Sequence, residues 1–118
     1  MVTGLGMVTP LGKNVEETWQ AILKSQSGVT RIDHFDASDL SCQICSRVKG
    51  FDPTQYMSEK EVRKRDYFIQ YGMASAAEAI RDAKLVVTES NARRIGLAVG
   101  SGIGGLPSIE RHHTILLE

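Results

Sequence analysis

Four groups of residues carry types and spacings that could do chemistry. Gly100-Ser101-Gly102-Ile103-Gly104-Gly105 fits the pattern G-x-G-x-x-G. Backbone N–H groups of such a loop, at a helix N-terminus, can meet a pyrophosphate. The acidic residue that confirms a dinucleotide site stands about 20 positions further on, and the chain ends at Glu118. A second partial match, Gly4-Leu5-Gly6, has Thr9 where the third glycine would stand. The same glycines serve tight turns and close backbone packing without any ligand, and that reading stands ahead. Cys42-Gln43-Ile44-Cys45 is a C-x-x-C. Zinc needs a second pair of ligands, and His112 and His113, adjacent on a helix, point about 100° apart. A redox pair would open a helix after a strand, which is not the pattern around Cys42. Buried or half-buried free thiols fit better, and no metal is expected. His34, His112 and His113 can titrate near neutral pH, but no serine or cysteine beside them makes a nucleophile setting. Lys60, Arg63 and Lys64 stand at i, i+3 and i+4, on one face of a helix with Val62 on the other. Such a run is commonly a solvated face; its functional reading is the docking of an acidic partner.

The elements that must position these groups follow from periodicity and punctuation. Residues 1–5 read as the end of a buried strand, leading into a Gly/Pro turn from Gly6 to Gly12. Asn14 is an N-cap with Glu17 three residues on, a variant of the capping box. Val15, Trp19, Ile22 and Leu23 then predict an amphipathic helix over 15–26, stopped before Gly28. Residues 29–50 read as an irregular excursion with one or two short strands, one of them over Ile44–Val48. Asp52-Pro53 starts another short helix, and Ser58 to Glu61 is a capping box opening a third. Asp66 starts a long helix to about Ala83, whose centre, Gly72 to Ala77, is rich in small residues and so suited to burial on more than one side. After a polar turn over Thr88–Asn91, Ile95 to Val99 is β-prone, and Pro107 stands at the first position of a last helix. Strand, Gly-rich loop and helix in that order are an α/β signature.

Composition bounds the rest. The 118 residues are 42% hydrophobic and 24% charged, close to a globular average, and suggest one domain or a piece of one. Fourteen basic residues balance fourteen acidic ones, which argues against general nucleic-acid binding. No apolar run approaches a membrane span, and no secretory leader is recognisable. Two cysteines are too few for a disulfide scaffold, so a cytoplasmic setting is expected. Both ends read as cuts in a longer protein: the first strand is short, and the final residues are apolar to the end.

Several stretches, in order along the whole chain, resemble the β-ketoacyl-acyl-carrier-protein synthases, specifically the synthase II group of the thiolase-like condensing enzymes. They are Val2 to Gly12, Trp19 with Ser25-Gln26-Ser27-Gly28, Ile32 to Asp36, Lys60 to Arg65 with Phe68 to Gly72, and Arg94 to Leu106. The resemblance implies an α/β thiolase-like layered fold, of which residues 1–118 would be part of the N-terminal half. It implies an enzyme that extends acyl-acyl-carrier-protein with malonyl-acyl-carrier-protein by decarboxylative Claisen condensation, without a cofactor, as a homodimer. The nucleophilic cysteine and two active-site histidines map to no position here, so the chain alone is expected to be inactive. Lys60, Arg63 and Lys64 match the family's basic helix for the acyl carrier protein, and Ile103 matches a side chain lining the acyl pocket near the dimer interface. A non-catalytic carrier-binding module and a dinucleotide-binding domain remain the alternative readings.

Overall fold

Apolar segments settle only where a neighbour covers them, and in this chain few neighbours exist. Residues 1–118 are described by a computed structural model. Only six of the 118 residues are buried. The accessible surface is 9512 Å², against about 6,300 Å² for a folded monomer of this mass. The radius of gyration is 17.5 Å, against about 13.5 Å for a compact domain of this length. The chain is therefore an open layer with large apolar side chains facing outward.

Helix α1 spans Val15–Leu23. Asn14 Oδ1 accepts from the Glu17 N–H at 2.8 Å, and Glu17 Oε2 accepts from the Lys13 N–H at 2.9 Å. The capping variant thus reaches one residue further back than the sequence suggests. The helix also ends earlier than expected: Lys24 is its C-cap and Ser25 takes φ 53°, so the stop lies ahead of Gly28. Its apolar stripe is not covered, with Trp19 53% and Leu23 60% exposed. The buried positions are Thr18 and Ala21. The Thr18 hydroxyl lies 2.9 Å from that of Thr9, whose Oγ1 accepts from the N–H groups of Leu11 and Gly12 and closes the first turn.

Strands β1, Val29–Arg31, and β2, Ile44–Ser46, form an antiparallel pair with Thr30 opposite Cys45. This is the only sheet. The segments 1–5 and 95–99, expected as strands, join no ladder. The backbone of Ile95 is extended, but no strand lies alongside, and Leu97 and Val99 remain 73% and 63% exposed. A strand needs a partner for its backbone groups, and these two segments have the residue types without the partner.

Helix α2, Glu59–Val62, follows a 3-10 turn at Pro53–Gln55. Helix α3, Tyr67–Asp82, is the longest element, and a second 3-10 turn, Ala92–Arg94, leads to the Gly-rich loop. Helix α4 is Leu106–Leu117, with Gly105 at its N-cap and Pro107 at its second rather than first position. The N-terminal segment runs along the small-residue face of α3 in the opposite direction. A side chain at Gly4 would strike the backbone of Ala79 and Ala83, and one at Gly6 that of Ser75 and Ala79. The helix carboxylates complete the contact. Asp82 accepts from the Leu5 N–H at 2.8 Å, and Glu78 accepts from Met7 and Val15 at 3.0 and 2.9 Å.

Gly6→Ala should therefore destabilise the protein by about 1–3 kcal/mol through overpacking against backbone, read as a lower denaturant midpoint. Glu78→Ala should lose two charge-assisted bonds and cost about 2–4 kcal/mol in the same measurement; an unchanged midpoint would refute the role given to Glu78.

Candidate functional site

The basic run begins in a short helix fixed at its N-terminus. Ser58 Oγ accepts from the Glu61 N–H at 3.4 Å, while Glu61 Oε2 accepts from the N–H and hydroxyl of Ser58 at 3.1 and 2.8 Å. Hydrogen bonds from the Ser58 side chain and backbone, with Arg65 beyond them, hold the Glu61 carboxyl below its ordinary range. The helix proper is only four residues long, so Arg63 is its C-cap and Lys64 lies in the turn that follows. That turn tightens: the N–H groups of Lys64 and Arg65 bond three residues back, to Glu61 and Val62. The expected continuous helical face is thus one helical turn plus a tight exit. All three cations are exposed. Arg63 pairs with Glu59 and Arg65 with Glu61, each at 3.4 Å, and Lys60 and Lys64 have no carboxylate partner. Between residues 59 and 65 four cations (Lys60, Arg63, Lys64, Arg65) face two carboxylates (Glu59, Glu61), a local balance of +2. Arg65 falls outside the i, i+3, i+4 pattern and was visible only as the next residue in the run.

The Gly-rich loop lies at the N-terminal end of α3, next to this basic turn. Gly104 takes φ 85° and sits against the Phe68 ring. Gly105 leaves room for the Asp66 carboxylate, which would overlap any side chain there. Asp66, the N-cap residue of α3, makes no cap bond to its own helix; its Oδ1 accepts from the Ser108 hydroxyl at 2.8 Å, in the first turn of α4. The anion at the start of α4 is therefore the chain's own, where a dinucleotide would need its pyrophosphate. The loop's glycines serve turn and packing. Ile103 projects from the loop and is 73% exposed. Beside it, an open apolar cleft of about 720 Å³ runs between α3 and the extended segment, lined by Phe68, Met73, Leu97 and Val99 among others. Gly72 lets Val99 close on the helix; Ile103 is not part of the lining.

The remaining candidates do not converge. Cys45 pairs within the sheet while Cys42 lies outside it; both are free, and no group of three or more His, Cys, Asp or Glu residues is placed to hold a metal ion. His34 stands edge-on to Phe35 and 3.7 Å from Asp33. His112 and His113 are exposed on α4.

Residues 1–117 match the family described as beta-ketoacyl synthase, N-terminal domain. The chain belongs to the β-ketoacyl synthase N-terminal domain family. It is 52% identical over all 118 residues to the 3-oxoacyl-[acyl-carrier-protein] synthase 2 of Vibrio harveyi, and 43% identical to that of Synechocystis. In each case it spans 28% of the relative's length. Among solved structures, a beta-ketoacyl synthase from Burkholderia phymatum superposes over 99% of this chain and 29% of its own, with a TM-score of 0.78 and 26% identity. The ishigamide ketosynthase/chain length factor matches 72% of this chain and 21% of its own, at a TM-score of 0.62 and 27% identity. The fold is thus part of the layered α/β architecture of the ketosynthases. The two expected strands stay unpaired within a chain that covers little more than a quarter of such a protein.

The capping box gives a pH dependence. Because the Glu61 carboxyl is depressed in the folded state, its contribution is complete above the ordinary glutamate range and is lost as pH falls through the folded value. Ser58→Ala should move the Glu61 titration, followed by carboxyl NMR, back up toward that range and cost about 1 kcal/mol.

Proposed function

We propose that residues 1–118 are the N-terminal part of the N-terminal domain of a 3-oxoacyl-acyl-carrier-protein synthase of the synthase II type, carrying its docking turn and an acyl-pocket residue. The observation that carries this reading is the 52% identity, over the whole chain, to relatives bearing that name. The geometry supports the residue roles: the basic turn and the Gly-rich loop flank one end of α3.

In the proposed reaction an acyl group is held as a thioester on a cysteine thiolate. The malonyl thioester loses CO₂, and the electron pair left on its α-carbon attacks the acyl carbonyl. The carbon–sulfur bond to the cysteine breaks, which restores the thiolate and leaves a 3-oxoacyl chain two carbons longer on the carrier protein. Two histidines assist by stabilising the thioester oxyanion. Cysteine and histidines alike belong to segments outside residues 1–118, so this chain supplies binding and not the bond-making groups. No cofactor takes part.

Lys60, Arg63 and Lys64 meet the acidic carrier by charge complementarity, which steers association and fixes register. The two unpaired cations, Lys60 and Lys64, are the readiest to do so. Ile103 limits how an acyl chain threads into its pocket, and its loop lies near the contact of a cytoplasmic homodimer. The uncovered apolar faces of α1 and of residues 95–99 are sites for the remaining layers of the synthase. No helix is long and apolar enough to cross a membrane.

Assay of the intact protein with malonyl- and acyl-loaded carrier should give CO₂ and a 3-oxoacyl product. Carrier binding without CO₂ release would favour a non-catalytic docking module, and neither would overturn the reading. Reversing charge at Lys60, Arg63 and Lys64 together should weaken carrier binding by roughly tenfold or more at low salt and flatten its salt dependence. Ile103→Phe should reduce kcat/KM for long acyl chains relative to short ones; an unchanged ratio would remove Ile103 from the pocket.

A further inference from the structure

We propose that Gln70 is a positioning residue for carrier docking, clamping the exit of α2 so that Arg63 and Lys64 are presented in a fixed arrangement. The inference rests on the docking role given above to Lys60, Arg63 and Lys64.

Gln70 lies in the first turns of α3 and is 4% exposed, one of two buried polar residues in the chain. Its Nε2 donates to the carbonyl oxygens of Arg65, at 2.8 Å, and Val62, at 3.3 Å. Those two carbonyls bracket Arg63 and Lys64. Both are acceptors, so the orientation of the amide is settled: nitrogen toward α2, oxygen away. No backbone N–H bonds to the Arg65 carbonyl, and Gln70 is its sole donor.

The other end of the amide has no such use. Gln70 Oε1 is buried without any hydrogen-bond partner. An unsatisfied buried oxygen works against stability, and an apolar side chain of the same length would avoid it. What glutamine brings at this position is the pair of donors, directed at the exit of α2. A helix of four residues has little hold of its own on that exit. With Ser58 and Glu61 closing its start and Gln70 its end, the cationic stretch is ordered before a partner arrives. Ordering in advance removes part of the entropic cost of binding.

The test compares Gln70→Met, which keeps the length without donors, with Gln70→Glu, which offers only acceptors when ionised. In the intact protein both should raise KM for acyl-loaded carrier protein roughly three- to tenfold. Values of kcat, and KM for an acyl thioester lacking the carrier, should stay within about twofold. The charge-reversed Lys60/Arg63/Lys64 variant serves as reference. If it leaves the carrier KM unchanged, the docking reading itself falls. If it raises that KM and both Gln70 variants leave it alone, the positioning role alone is overturned. Loss of activity toward both substrates alike, misfolding included, overturns it too, because it marks Gln70 as merely structural.

Discussion

The arrangement depends on one contact, the backbone of residues 4–7 laid directly on the small-residue face of α3. Gly4 and Gly6 leave no side chain between strand-like backbone and helix, and Ala79 and Ser75 supply the matching shallow surface. The approach brings the N–H groups of Leu5 and Met7 within reach of Asp82 and Glu78. Glu78 reaches further and takes the N–H of Val15, so the start of α1 is tied to the same helix turn. Peptide N–H groups on carboxylates are charge-assisted and stronger than neutral pairs. Helix α3 thereby becomes the axis from which the other parts are hung, α2 through Gln70 and the Gly-rich loop through Asp66 and Phe68.

Sequence pattern reached some of this and missed the rest for identifiable reasons. Local signals were legible. The cap at Asn14 and the box at Ser58–Glu61 stand where the residue types place them, because a cap is made within four residues, and the long helix starts after Asp66 although its side chain makes no cap bond. The small-residue centre of α3 predicts burial on more than one side; the N-terminal backbone does approach it closely, but only Gln70 and Ala74 of the helix are buried. Non-local facts were not legible. Nothing in Ile95–Val99 says that no strand lies beside it, and nothing in Val15–Leu23 says that its apolar stripe stays open. The pattern predicts α1 to residue 26, with Gly28 as the stop because glycine favours the left-handed region, yet Ser25 adopts it three residues before that glycine. For the basic turn, spacing identified the cations but not their pairing. The partnership of Arg63 with Glu59, and of Arg65 with Glu61, separates the two lysines as the unpaired charges.

The open apolar surface has a physical reading that joins fold and family. Leu97, Val99, Trp19 and Leu23 are large and exposed, and the chain covers 28% of the length of its relatives. Side chains of this kind belong to interiors, and a layered sheet needs both faces covered. The basic turn is bounded by short-range contacts, Ser58 with Glu61 at its start and Gln70 with Val62 and Arg65 at its exit, none of which involves the sheet.

Asp66 stands between two helix beginnings. It occupies the cap position of α3 while its carboxylate lies against Gly105 and binds Ser108 in α4. The carboxylate faces the start of α4 and leaves α3 without a side-chain cap. The segment bearing Ile103 is thereby tethered, through one side chain, to the residue that follows the cationic turn. Any swing of that loop away from α3 must break the Ser108 bond to Asp66 and part Gly104 from the Phe68 ring, so the position of the loop is coupled to that of the basic turn.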